Sequence, residues 1–198
     1  MMKKTSALMA VVLTMGLCLT GCGKSEAEVS SVTIDKSGKI TGVILEDFDK
    51  DYYSVDELEA MIEDEIKSYN AEYDSPRISL EETAKIEEGS FAKVAIDYES
   101  SDDYAYFNQI TFFYGTIEEA RAAGYGVSNS LVDQNGEKVD PAFIDEHPDH
   151  HVIITNDKTR VRTPYNIQYT TNGVTLNGKK EAVLDSAIAD NIQLLLSK

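Results

Sequence analysis

The chain has no tryptophan, only two cysteines in 198 residues, four prolines, and 18 basic side chains against 35 acidic ones. Each shortage excludes something. The cysteines are Cys18 and Cys22, so the rest of the chain has no thiol for a disulfide, a cysteine nucleophile or a thiolate metal site. A formal net charge of −17 argues against nucleic acid as a partner, because phosphate binding needs clustered Lys and Arg. It equally opposes the folded body lying flat on an anionic membrane. Past residue 19 no apolar run approaches the roughly 20 residues that span a bilayer. The GxSxG elbow, the P-loop, the dinucleotide fingerprint and the kinase signatures are all missing.

The N-terminus, by contrast, is rich in signal. Met1-Met2-Lys3-Lys4 is followed by an apolar stretch from Ala7 to Leu19, then Leu19-Thr20-Gly21-Cys22. A positive start, a short apolar middle and small residues before a cysteine read as an export signal. This order resembles the signal peptide and lipobox of a bacterial lipoprotein. The resemblance implies cleavage before Cys22, diacylglycerol on its sulfur and an acyl chain on its amine, with no other cofactor. Double-chain lipidation anchors stably, since each buried CH₂ contributes about 0.8 kcal/mol. It further implies a protein held at the extracytoplasmic face of the cell membrane. Composition and turn pattern are similar to uncharacterised surface lipoproteins of clostridial-type Gram-positive bacteria, a similarity that transfers no activity and no site.

The expected organisation is a signal peptide over 1–21, a small polar tether over 22–30, an acidic α+β lobe over 31–147 and a β-rich lobe over 148–198. The two lobes are alternatively one continuous domain. The charge supports a division: residues 151–198 carry +2, whereas 22–150 carry −21. Val32-Thr33-Ile34 and Ile40 to Leu45 flank a Gly-containing turn and predict a hairpin. Ser54-Val55-Asp56-Glu57 is a capping box that opens a helix with Leu58, Ile62, Ile66, Tyr69 and Tyr73 on one face, ending before Pro76. Ile78, Leu80, Ala84 and Ile86 alternate on one parity; Ala92, Val94, Ile96 and Tyr98 do so on another, predicting a second hairpin around Glu88-Gly89.

Asp102 to Gln109 predicts a short helix and Ile110 to Tyr114 a buried strand. Thr116 to Glu119 is a second capping box, and Pro141 after Asp140 starts a further helical turn. Short apolar runs at 152–154, 160–162, 167–169, 174–176 and 182–184, punctuated by Asn-Gly, predict an antiparallel β unit. Ile192 to Leu196 is either its last strand or, with Leu184, Ile188 and Leu195 at helical spacing, part of a helix. The fold class expected is α+β: antiparallel sheets with a few amphipathic helices and a β-rich C-terminal part.

Candidate chemistry is sparse. His147, His150 and His151 lie within five residues among carboxylates, a composition that suits zinc or copper but not the HExxH spacing. Asp47, Asp49 and Asp51 begin like a calcium loop, but Tyr52 and Leu58 stand where Gly and Glu are required. Acids are abundant enough that a carboxylate-dependent cell-wall hydrolase is an alternative reading, with no pair singled out. Of eleven tyrosines, Tyr104 and Tyr106 are the candidate ligand contacts, aromatic rings suited to a glycan or a protein partner. Tyr69, Tyr73, Tyr98 and Tyr169 lie on apolar parities and are expected in the core. The function expected is a non-enzymatic binding or scaffolding module on a lipid anchor, with a metal-binding lipoprotein as the other alternative. Replacing Cys22→Ser should move the protein from the membrane fraction to soluble material or stalled precursor; unchanged detergent partitioning would contradict the anchor.

Overall fold

The computed structural model describes residues 29–50, 52–86 and 91–198. Cys22, the export signal, most of the tether, Asp51 and the Glu88-Gly89 turn lie outside these residues. Among the described residues no helix is long and apolar enough to cross a membrane.

Among the described residues, eleven strands and four helices make an α+β fold. Strand β1 (Ser31–Ile34) and β2 (Ile40–Asp47) form the expected hairpin, paired Ile34 to Ile40 across a turn in which Gly38 has φ 88°. Helix α1 (Val55–Asn70) starts where Ser54 accepts from the Glu57 amide. Its apolar face buries Ile66 and lays Leu58, Ile62 and Tyr69 against the core. The helix stops at Asn70, so Tyr73 falls beyond it and is 44% exposed rather than in the core. Asn70 explains the stop: its side-chain oxygen accepts from the Arg77 and Ile78 amides, and its amide donates to the Ile78 carbonyl. One side chain thereby pins the start of the next strand to the end of the helix.

That strand, β3 (Ile78–Ile86), pairs antiparallel with β4 (Phe91–Tyr98). The expected parity holds only for its first half. A bulge between Leu80 and Glu82 places Thr83, not Ala84, opposite buried Val94, and turns Ala84 and Ile86 to the other face. An extra residue reverses every side chain after it.

Helix α2 (Ser101–Asn108) leads into β5 (Phe112–Thr116). Helix α3 (Ile117–Ala122) opens on the full Thr116–Glu119 capping box, and α4 (Pro141–Glu146) has Pro141 in its first turn behind the Asp140 cap. Six strands follow: β6 (His151–Thr155), β7 (Arg160–Arg162), β8 (Ile167–Thr170), β9 (Thr175–Leu176), β10 (Glu181–Val183) and β11 (Ile192–Leu196). Residues 192–196 are therefore a strand, and Ile188 of the alternative helix is 93% exposed.

These last strands do not form one antiparallel unit. They divide between two sheets, one in the order β3-β4-β2-β1-β7-β10-β9 and one in the order β5-β6-β11-β8. The β1–β7 pair is parallel, Val32 facing Val161, and β5 pairs β6 from Phe112–Thr155 to Thr116–His151. Backbone hydrogen bonds thus join 31–147 to 148–198 through both sheets, and the division into lobes at residue 147 has no counterpart in the pairing.

The smaller sheet is the middle of the molecule. Ile153, Ile192, Leu194 and Leu196 face the main core together with Val32, Ile96 and Val161 of the larger sheet. On its reverse face Leu195 meets Ile117, Leu131, Val139 and Ile144, while Val152 and Ile154 meet Ala120. All five residues of β11 are buried, Gln193 included. Gln193 satisfies itself by accepting from the Ser128 amide and donating to the Gly126 carbonyl, which moors the loop after α3. Leu194→Ala should cost about 3 kcal/mol in urea unfolding, because a fully enclosed leucine leaves a cavity that rigid strands on either side cannot fill.

Candidate functional site: a tyrosine platform beside a polar groove

The best-organised surface lies where α1, β3 and α2 meet, and a buried carboxylate sets it up. Ser100 caps α2 by accepting from the Asp103 amide, at 3.2 Å, so Asp103 stands in the first turn of the helix. Its carboxylate is only 3% exposed at the residue level. Arg77 approaches it as a fork, Nε donating to Oδ1 at 3.1 Å and Nη2 to Oδ2 at 2.7 Å. The Ser100 hydroxyl donates to Oδ2, and the Tyr69 hydroxyl donates to Oδ1 at 3.0 Å. Tyr73 completes the chain by donating its hydroxyl to that of Tyr69 at 3.1 Å. Burial opposes ionisation of Asp103, but the donors from Arg77, Ser100 and Tyr69 outweigh it and hold the carboxyl below its ordinary value. The Tyr69 phenol is pushed well above its ordinary range, first by burial, then by the hydroxyl of Tyr73 and the Asp103 carboxylate.

This network ties the Tyr69 and Tyr73 rings together, and Tyr106 packs beside them. Tyr69 stands 5.1 Å from Tyr73 and 5.8 Å from Tyr106 between ring centroids, and packs edge-on against Phe107. Tyr106 is 71% exposed, and the Arg77 guanidinium lies 5.8 Å from the centre of the Tyr73 ring. Of the two tyrosines singled out from sequence, Tyr106 is thus a surface ring. Tyr104 is 6% exposed and belongs to the core: it packs edge-on to Tyr98 and Phe112, and its hydroxyl donates to Asp157. Helical geometry separates them, since residues two apart point to different sides. Gly42 makes room for Tyr104; a Cβ there would sit 3.3 Å from its ring.

Arg77 also borders a cavity of about 370 Å³ on the outer face of the larger sheet. Its floor is a cross-strand row that no local pattern announces. Thr33 of β1 faces Thr41 of β2, Thr41 faces Asp97 of β4, and Asp97 faces Ser79 of β3. Thr41 donates to Asp97 Oδ1 at 2.6 Å. The walls are the Asp35–Lys39 turn on one side and Pro76, Arg77 and Glu99 on the other. Lys39 is paired with Glu99 at 2.7 Å. Asp35 accepts from the hydroxyl and amide of Ser37 and from the Lys39 amide, which holds its carboxyl below the usual range despite some burial.

The histidines are dispersed rather than convergent. His147 stacks on Phe143 and donates through Nδ1 to the Phe143 carbonyl, and His150 contacts Gln168. Their rings are 4.7 Å apart. His151 projects from the other face of β6, stacked between Tyr114 and Tyr165 at 5.3 and 4.6 Å. Burial lowers its pKa, and neither its Nδ1 nor the Tyr114 hydroxyl has a hydrogen-bond partner among the described residues. The split follows the chain: His147 and His150 belong to the turn after α4, whereas His151 opens β6. No group of three His, Cys, Asp or Glu side chains among the described residues is arranged to hold a metal ion.

No protein-family model matches the chain, and no curated protein or solved structure matches it.

Asp103→Asn should destabilise the protein by about 1 kcal/mol at neutral pH, because it removes the buried charge that Arg77, Ser100 and Tyr69 donate to, while the Arg77 end stays partly in solvent. The direction of the pKa shift sets the pH dependence. A carboxyl held below its unfolded value of 3.8 contributes fully above that pH and loses its contribution as pH falls through the lower folded value. Urea midpoints of wild type and variant should therefore converge below pH 3.8.

Proposed function

We propose that this protein is a lipid-anchored binding module of the extracytoplasmic envelope, with Cys22 as the anchor and the Tyr69–Tyr73–Tyr106 platform as the ligand surface. The anchor half of this reading rests on the lipobox. The binding half rests on one observation: Tyr69 and Tyr73 are hydrogen-bonded in series to a buried carboxylate, and the exposed Tyr106 ring packs against Tyr69. Ordering large side chains on folding rather than on binding removes an entropic cost from association. Exposed aromatics on a rigid base are also the usual carriers of interface energy.

Binding fits the surface better than catalysis does. Each carboxylate lining the groove already serves a protein donor: Asp35 its own turn, Glu99 Lys39, and Asp97 Thr41. A hydrolase needs one acid and one base free to face a scissile bond. The −17 charge supports a soluble, non-adhesive body that stands away from the anionic surface it is tethered to.

The test is capture. The full-length protein in detergent, immobilised and exposed to envelope extract of its host, should retain a defined component. Tyr73→Ala combined with Tyr106→Ala should reduce that retention about tenfold, a loss typical of removing central aromatic contacts. Equal retention by the double variant, or turnover of a substrate without any retained partner, would overturn the proposal.

A further inference from the structure

We infer that the free edge of β3, beside α1, is a second binding site, which takes an extended basic peptide as a further strand of the larger sheet. The site shares no residue with the tyrosine platform, so its failure leaves the binding module above standing.

Strand β3 is the outermost of its sheet, with β4 on one side. Its first residues show which backbone groups face outward. Glu99 donates its amide to the Arg77 carbonyl, whereas the Ile78 amide and carbonyl turn away from β4 to the Asn70 side chain. Inward and outward positions alternate along an antiparallel ladder. Leu80, opposite Ile96, therefore faces outward as well. Counted along β4 past the bulge, so do Thr83 and Lys85, opposite Val94 and Ala92. Asn70 closes the edge at Ile78, and no described residue hydrogen-bonds the outward backbone groups of Leu80, Thr83 or Lys85. A row of unpaired N–H and C=O groups is a template for an added strand.

Helix α1 supplies a second wall. Glu63, Ile66, Lys67, Asn70 and Ala71 line an open cavity of about 620 Å³ with Leu80 of β3. An added strand sends every second side chain toward that wall, where Ile66, Ala71 and Leu80 suit an apolar one. Thr83 also holds a buried Oγ1 with no hydrogen-bond partner, a cost that a donor brought along this edge would offset.

Charge selects the peptide. Glu82 is paired with Lys93, and Lys85 lies over the Phe48 ring. Glu63 and Glu81 are exposed and have no cationic partner among the described residues, and Glu59 precedes Glu63 by one turn of the same helix face. Against these acids stands Lys67. A basic side chain is therefore drawn to the groove, and an acidic one is repelled. A second copy of this chain is a poor occupant. It brings the same acids to the edge on a body of formal charge −17, and a bulge with adjacent charges is a device that keeps like edges apart.

The experiment immobilises full-length protein in detergent at physiological ionic strength, where exposed charges beyond about 8 Å are screened. The probe is a pool of octapeptides with Lys at every second position and Val, Ile, Leu or Phe between. Members of the pool should be retained. The same pool with N-methylated backbone, which keeps every charge but cannot pair with a strand, should pass through, as should a pool with Glu in place of Lys. Thr83→Pro should abolish retention, since its N–H faces outward and proline there takes no bond from β4. Glu63→Lys combined with Glu81→Lys, both on exposed side chains, should weaken binding about tenfold with an unchanged unfolding midpoint. Glu118→Gln on α3 should leave it unaltered. Equal retention of the N-methylated pool, or binding indifferent to both β3-edge variants, overturns strand addition. Retention of no peptide overturns the site, and a dimer in sedimentation velocity that Thr83→Pro dissolves assigns the edge to a second copy instead.

Discussion

The whole fold depends on one strand that is buried from both sides. β11 has no solvent face, and its hydrogen bonds run to β6 on one edge and to β8 on the other. A strand in that position must be apolar on both parities, or satisfy any polar atom internally. Leu194 and Leu195 meet the first condition and Gln193 the second. Around it, the main core forms against the larger sheet and a second layer forms under α3 and α4. The first sheet is curled over one face of this strand and the loops 126–139 over the other, so neither layer has a core of its own without it.

Much of this was legible where a rule is local. Both N-caps lie where Ser54 and Thr116 indicate, the full reciprocal box forming at Thr116–Glu119 and only the Ser54–Glu57 amide bond at the other, because a cap is satisfied within four residues. The β1–β2 hairpin follows from a turn whose demands are equally short-range. The pairing of β1 with β7 was not legible, since nothing in Val32 or Val161 names the other across more than a hundred residues. The C-terminal part is strand-rich as expected, and the same limit explains why its strands do not form the one antiparallel unit: spacing shows that strands exist, not which sheet each enters. At β3 a single bulge reversed the expected parity, and a bulge has no signature in an alternating run of this length.

The candidate site divides along the same line. An aromatic cluster near Tyr104–Phe107 can be seen in the sequence, but its exposed member is decided by the helix face, which selects Tyr106. Asp103 is hidden among many acids, and only its company distinguishes it: Arg77, Ser100, Tyr69 and, through Tyr69, Tyr73. The Ser100–Asp103 cap was the one available clue. The row Thr33–Thr41–Asp97–Ser79 draws one residue from each of four strands, so no stretch of sequence contains it.

The position of β1 has a mechanical consequence. It is the middle strand of the seven, bonded to β2 on one side and β7 on the other, and the residues leading to it from the N-terminal side enter at Ser31. Tension transmitted along that segment therefore acts parallel to the strand and loads two ladders at once in shear. All their hydrogen bonds share the force, instead of opening one after another as they would on a peeled edge.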